Sequence, residues 1–368
     1  MKLLMVVLMN YCVVLSVSAQ HRLMQLADSI VKYQMESGGW PKNQDWQKGV
    51  NQVEVREWRR TGVGSTIDNG ATVAEMKALV DGIGKVDEIL SSAYERMDTD
   101  YLQEKRDAYV EAFHRGVEFL LEMQYDNGGF PQFYPRKQKA HYSSHITFND
   151  NAMVGVLILL RDLADGSERY KCVEVEKSLR KKCLKAYERG LKCILDCQIR
   201  VDESGTVLEY GTEGWLKGKR TVWCQQHDEE TLAPTKARAY ELPSYSGMGE
   251  TCAILNLLMD VPNPSEEVKD AVRCGVEWLE SHAIANVEVE TFVNAEGLRD
   301  IRIVEREGAP LLWARYYDLG QAKPMFCDRD GVPRRHLADI GHERRNGYSW
   351  IGDAPQKVIN RFKNWNYK

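Results

Sequence analysis

Beyond its first nineteen residues the chain contains no apolar run long enough to span a membrane. It has no excess of positive charge: 49 Lys plus Arg face 54 Asp plus Glu, a formal net charge of −5. A partner held by bulk attraction to phosphate, nucleic acid above all, is thereby excluded. It has no CxxC pair and no histidine cluster at ligand spacing, which disfavours a zinc site. Apolar residues are not scarce, at 43% hydrophobic against 28% charged. The chain can bury one large core or two modest ones, and it is neither fibrous nor disordered. Nine Trp and 17 Tyr suit cores, and equally suit clefts in which sugar rings stack on aromatic faces.

At the N-terminus Lys2 precedes an apolar run from Leu3 to Val17, and Val17-Ser18-Ala19 before Gln20 has the small side chains of a cleavage site. This reads as a secretory signal peptide over residues 1–19, leaving 20–368 as a single domain. A membrane anchor is the alternative, but the run is short for a spanning helix. With Cys12 removed, eight cysteines remain. An even number in an exported protein permits disulfides; buried thiols are the other reading.

Three segments repeat one helix: 115–124 reads RGVEFLLEMQ, 189–198 reads RGLKCILDCQ and 274–281 reads CGVEWLES, with Gly116, Gly190 and Gly275 in register. Tyr109, Phe113, Val117 and Leu120, and in the next copy Leu184, Tyr187, Leu191 and Ile194, share one face at helical spacing. A looser first copy spans 23–35. Gly- and Pro-containing stretches stop these helices, as in Gly38-Gly39-Trp40-Pro41 and Gly128-Gly129-Phe130-Pro131. Polar clusters then open a second helix after Asp68-Asn69-Gly70, after Asn149-Asp150-Asn151 and after Ser246-Gly247. Unequal repeat lengths and long connections favour a ring over a regular solenoid. The expected fold is mainly α: a toroid of about three helical hairpins with long loops and a few short strands, such as Thr206–Tyr210 and Val287–Val293.

The chemistry sits in those loops. Asp68 and Asp150 are expected at equivalent positions converging on one cleft; the plain alternative is that each caps a helix. The stretch 232–247 carries two prolines, which places Lys236, Arg238 and Glu241 on a rigid, irregular segment facing the same cleft. Its plain alternative is a solvated Arg238–Glu241 ion pair of little energetic weight. Trp40, Trp223, Trp313, Tyr240 and Tyr245 fall on loops directed to the cleft.

In this combination the chain resembles the family 10 pectate lyases, from about Leu23 to Trp350. The resemblance is carried by Gly38-Gly39-Trp40-Pro41-Lys42-Asn43, Thr66-Ile67-Asp68-Asn69-Gly70-Ala71-Thr72, Gly128-Gly129-Phe130-Pro131-Gln132 and Phe148-Asn149-Asp150-Asn151-Ala152-Met153. It extends to Lys236-Ala237-Arg238-Ala239-Tyr240-Glu241-Leu242-Pro243-Ser244, and to Trp313-Ala314-Arg315-Tyr316-Tyr317 followed by Arg329-Asp330-Gly331. The resemblance implies an incomplete α/α toroid and calcium-dependent β-elimination of polygalacturonate by a monomeric enzyme, secreted or periplasmic, with no nucleic-acid or membrane partner. It implies Ca2+ ligands at Asp150, Asp68 and, less directly, Glu241, with both aspartates counted as catalytic. It implies Arg238 as the base that removes the C5 proton, and substrate contacts from Lys236, Arg315, Arg329, Arg344, Tyr240 and Trp40. Arginine is ordinarily fully protonated, so nearby calcium and other guanidinium groups would have to disfavour its charge. Two other classes stay open: a glycoside hydrolase using Asp68 and Asp150 as its paired acids, and an exported sugar-binding protein without chemistry.

Overall fold

The computed structural model describes residues 22–92, 98–136 and 141–367; the expected signal peptide lies outside them. Apolar residues at helical spacing form α1 (22–32), α2 (Gln52–Thr61), α3 (Val73–Ser91), α4 (Thr99–Met123), α5 (Ala152–Asp165), α6 (Lys177–Cys197), α7 (Glu213–Lys217), α8 (Gly249–Met259), α9 (Glu266–Ser281), α10 (His342–Asn346) and α11 (Ala354–Lys363). Among the described residues no helix is long and apolar enough to cross a membrane.

The chain forms two compact units, 22–124 with 133–136 and 158–187, and 125–132 with 141–157 and 188–367. In each, the repeated glycine is the place where two helices meet. A β-carbon on Gly116 of α4 would stand 3.0 Å from Met76 of α3; on Gly190 of α6, 2.3 Å from Leu157 of α5; on Gly275 of α9, 2.9 Å from Leu255 of α8. Glycine is therefore what lets the paired helices approach, and the sequence repeat is a packing repeat.

The loops are pinned in the same repeated manner. Gly38, at φ +95°, presses on the Arg115 carbonyl of α4, and Gly128, at φ +90°, presses on the Arg189 carbonyl of α6. Among the described residues five indoles donate to helix carbonyls: Trp40 Nε1 to Ile30 O of α1 (2.8 Å), Trp223 Nε1 to Ile194 O of α6 (2.7 Å), Trp313 Nε1 to Leu279 O of α9 (2.7 Å), Trp350 Nε1 to Arg344 O of α10 (3.0 Å) and Trp365 Nε1 to Met259 O of α8 (3.0 Å).

Strands are few and short. Ser244–Ser246, Tyr316–Asp318, Pro324–Cys327 and Pro333–Arg334 build an antiparallel four-stranded sheet in the spatial order Pro333–Arg334, Pro324–Cys327, Tyr316–Asp318, Ser244–Ser246. Val287–Val293 is a strand as expected, paired with Arg299–Glu305 in a hairpin that sets Val289 opposite Ile303 and Thr291 opposite Ile301. Thr206–Tyr210 is not a strand. Only Val207 bridges, to Val201, because the turn at Gly205 returns the chain for one residue pair before Tyr210 turns away toward the Cys197 carbonyl. The eight cysteines are free, six of them buried. Burial pushes the Cys252 thiol up to about 12. They are thiols packed in the interior, not staples.

Candidate active site

In the second unit two buried carboxylates each hold an arginine. Pro234 and Pro243 keep 232–247 out of a helix, and the turn closes when Glu241 N donates to Arg238 O (3.0 Å) and Ala237 N to Glu241 O (3.0 Å). This turn points the Glu241 side chain back at its own segment. Oε2 accepts from Arg238 N (3.1 Å) and Nε (2.7 Å), while Oε1 accepts from Arg238 Nη2, Gln225 Nε2 (2.9 Å) and Tyr348 Oη (2.9 Å). The Glu241 side chain is 3% exposed and that of Arg238 41%. For Glu241, burial opposes the charge, yet the Arg238 contacts outweigh it and the carboxyl lies below its usual range. For Arg238, burial again opposes the charge, Glu241 outweighs it, and the guanidinium is held still more firmly protonated.

The second pair is Arg315 and Glu250. Glu250 lies in the first turn of α8, where an acid is favoured. Its Oε1 accepts from Arg315 Nη2 (2.9 Å) and its Oε2 from Ser246 Oγ (2.6 Å). Arg315 Nη2 also donates to Asn149 Oδ1 (3.2 Å), and Nε to Tyr316 Oη (3.2 Å). Burial opposes the Arg315 charge too, and Glu250 again carries the net direction upward. Tyr348 joins the two pairs: its hydroxyl is 2.9 Å from Tyr316 Oη, and its ring faces the Arg315 guanidinium at 4.3 Å and that of Arg344 at 5.0 Å. Arg344 is buried and lies 4.3 Å over Tyr240, which Arg238 also faces at 5.0 Å. Arg329 is exposed, paired with Glu343, and Lys236 is exposed.

Next to this network stands Asp150. Asn149–Asn151 form one turn of 3-10 helix entering α5, with Asp150 at φ 51°, ψ 29°. Asp68–Gly70 repeat the turn, with Asn69 at φ 53°, ψ 27°. The counterpart of Asp150 is therefore Asn69, and that of Asp68 is Asn149. Asp and Asn tolerate the left-handed position and so share it, which corrects the expected equivalence of the two aspartates by one residue. Asp68 belongs to the first unit, is buried, forms an ion pair with Lys42 and accepts from Asn69 N (3.1 Å). Asn149 is buried and donates to Asp150 Oδ2 (2.7 Å); Asp150 is exposed.

The expected aromatic platform is corrected as well. Trp40, Trp223 and Trp313 are fully buried, and Tyr245 is 2% exposed. Their rings are core, and the indole N–H groups hold loops to helices. Tyr240 is buried too, and stacks on arginines. The residues that sequence reasoning missed are Gln225, Glu250, Tyr316 and Tyr348. Glu250 reads as an ordinary helix start, and Tyr348 lies 107 positions from the carboxylate it touches.

Calcium takes oxygen ligands. Asp150 fits, as an exposed carboxylate at a fixed turn. The Glu241 oxygens and Asp68 Oδ2 are committed to cations of the chain itself. A further donor group, also unforeseen, is His145, Asp228 and Glu229, whose ligand atoms lie within 4.8 Å of one another; His145 Nδ1 is 2.8 Å from Glu229 Oε2.

The sequence matches the Pectic acid lyase family over residues 34–359. The chain belongs to that family. Two solved structures are similar to it along its length: the family 10 polysaccharide lyase from Cellvibrio cellulosa, and a point mutant of that enzyme in complex with trigalacturonic acid. Each is 32% identical, covers 94% of this chain and 93% of its own, and superposes with a TM-score of 0.71. No curated protein matches the chain. The chain is thus a pectate lyase with the mainly α fold of the family 10 polysaccharide lyases, and the charged network of its second unit is the candidate site for that chemistry.

Proposed function

We propose that this pectate lyase cleaves polygalacturonate by calcium-assisted β-elimination, that residues 20–368 act as one exported, monomeric catalytic domain, and that Arg238 removes the C5 proton. The observation that carries the reading is the Arg238–Glu241 pair. Glu241 holds Nε and Nη2 of the guanidinium, so Nη1, on a side chain 41% exposed, is left to meet a substrate at a fixed angle. The pair shown by the structure is the plain alternative weighed from sequence. It is buried on the Glu241 side and bonded on four counts, and so it orients Arg238 where a solvated pair would not.

Elimination takes the proton at C5, moves its electron pair into the C4–C5 bond and expels the C4 oxygen. Charge accumulates on the uronate carboxylate. Calcium on Asp150 would supply Lewis-acid stabilisation of that charge. Arg315 and Arg344, fixed by Glu250 and the tyrosine rings, add positive potential beside it. Exposed Lys236 and Arg329 can meet carboxylates of neighbouring sugar units. Glu241 is assigned to orienting Arg238 instead of binding metal, and Trp40 to the core. The supporting facts are the family, the likeness to a lyase solved with trigalacturonic acid, and the concentration of arginines on an acidic chain.

Incubation with polygalacturonate tests the reading. New C4–C5 double bonds should raise the ultraviolet absorbance, and chelation should stop the rise. Saturated reducing ends without absorbance would overturn it in favour of hydrolysis.

A further inference from the structure

The two arginine–carboxylate pairs meet at Tyr348, and the chain fixes that residue from its backbone outward. Ile351 and Gly352 pair with Ala314 and Trp313, Arg315 N donates to Trp350 O (2.7 Å), and Trp350 Nε1 donates to Arg344 O (3.0 Å). The segment that carries Tyr348 is thereby tied to the segment that carries Arg315 and to α10, which carries Arg344. Trp350 and Tyr240 then meet the Tyr348 ring edge-on, with centroids at 5.2 and 5.6 Å.

The hydroxyl serves one pair. Glu241 is ionised against Arg238, so its oxygens only accept, and the Tyr348 proton goes to Oε1 (2.9 Å). Gln225 must likewise present Nε2 to that oxygen (2.9 Å), which turns its Oε1 to the Tyr316 hydroxyl. Tyr316 Oη in turn accepts from Arg315 Nε (3.2 Å), so each bond from Arg315 to Glu241 donates toward the carboxylate. Together with Arg238 N, Nε and Nη2, these donors fill both Glu241 oxygens and leave the carboxylate no freedom to turn from Arg238. Burial raises the Tyr348 hydroxyl well above the ordinary tyrosine range, so it remains a donor in alkali.

The ring serves other cations. It faces the guanidinium of Arg315 at 4.3 Å and that of Arg344 at 5.0 Å. Arg344 Nε is buried without a hydrogen-bond partner, so the rings of Tyr348 and Tyr240 are much of what holds this arginine. We infer that Tyr348 is a positioning residue with two separable parts: the hydroxyl holds Glu241, and through it Arg238, in place for proton transfer, while the ring holds Arg315 and Arg344 for the carboxylates of the polymer. The inference rests on Arg238 being the base.

The test measures kcat and KM on polygalacturonate at saturating calcium, from the rise in ultraviolet absorbance. Tyr348→Phe keeps the ring and should lower kcat about tenfold, with KM within about twofold of wild type. Tyr348→Leu removes both parts; it should lower kcat at least as far and raise KM about threefold to tenfold. A double-mutant cycle separates action through Glu241 from general loosening. Glu241→Gln alone should lower kcat, and adding Tyr348→Phe to it should change kcat less than about twofold, because the charge that the hydroxyl serves is gone. An unchanged kcat for Tyr348→Phe, a KM that moves with it, or effects that multiply in the double variant would overturn the hydroxyl's role and leave the lyase reading standing. A wild-type KM for Tyr348→Leu would overturn the ring's role. Arg238→Ala turning over at the wild-type rate would overturn the base, and the inference with it.

Discussion

Two cations of one kind sit on equally buried carboxylates, and differ in their own exposure and in the carboxylates' other partners. Arg238 keeps a 41% exposed side chain while Glu241 behind it is 3% exposed; Arg315, at 14%, is enclosed with Glu250. The first is oriented and reachable, the second is a fixed positive potential. The Arg238–Glu241 contact was legible because the two residues are three apart. Its strength was not, since Gln225 and Tyr348 come from distant segments and no local pattern announces them. His227 shows the same dependence on context. It accepts Cys224 N at Nε2 (3.0 Å), its Nδ1 meets Leu232 O (2.7 Å), and burial lowers it from 6.5 to about 4. The ring is neutral when folded and protonates more readily when unfolded. Between pH 6.5 and 4 the unfolded chain thus binds the extra proton, and stability is lost as the pH drops through that window. From pH 7 to 5, denaturant unfolding of wild type should lose about 2 kcal/mol more than that of His227→Gln. Equal losses would show that His227 is not held neutral.

Among the elements, helix pairing was readable and loop pinning only half so. Gly116, Gly190 and Gly275 announce themselves by repetition, and the structure gives each a neighbouring helix side chain to admit. The loop glycines look like mere helix stops. Yet a β-carbon on Gly128 would stand 2.1 Å from the Arg189 carbonyl oxygen, at φ +90°, while Gly205, at φ +85°, has open space around it. Gly128→Ala should cost about 2–3 kcal/mol, from backbone strain plus a clash that only movement of α6 relieves. Gly205→Ala should cost about 1 kcal/mol, from the strain alone. Thermal or denaturant unfolding of the two variants decides it, and equal costs would mean that the loop does not bear on α6. The short strands of the four-stranded sheet were beyond periodicity because two to four residues are too few to show a period of two.

At the scale of the molecule, composition misplaced the aromatics. Tryptophans in loops suggested stacked sugars; buried indole N–H groups instead need acceptors, and helix ends supply them. What the second unit gathers instead is arginine and tyrosine side chains, on a chain of net charge −5. The proposed reaction turns on Arg238, oriented by Glu241, taking the C5 proton. Because Arg238 is held firmly protonated, its neutral fraction is small near neutrality and grows about tenfold per pH unit. The direct measurement is the elimination rate on polygalacturonate, followed by ultraviolet absorbance across the alkaline range at saturating calcium, for wild type and Arg238→Ala. The wild-type rate should climb with pH, and Arg238→Ala should fall at least about 100-fold and lose that climb. A variant that keeps the wild-type rate and slope would contradict the account.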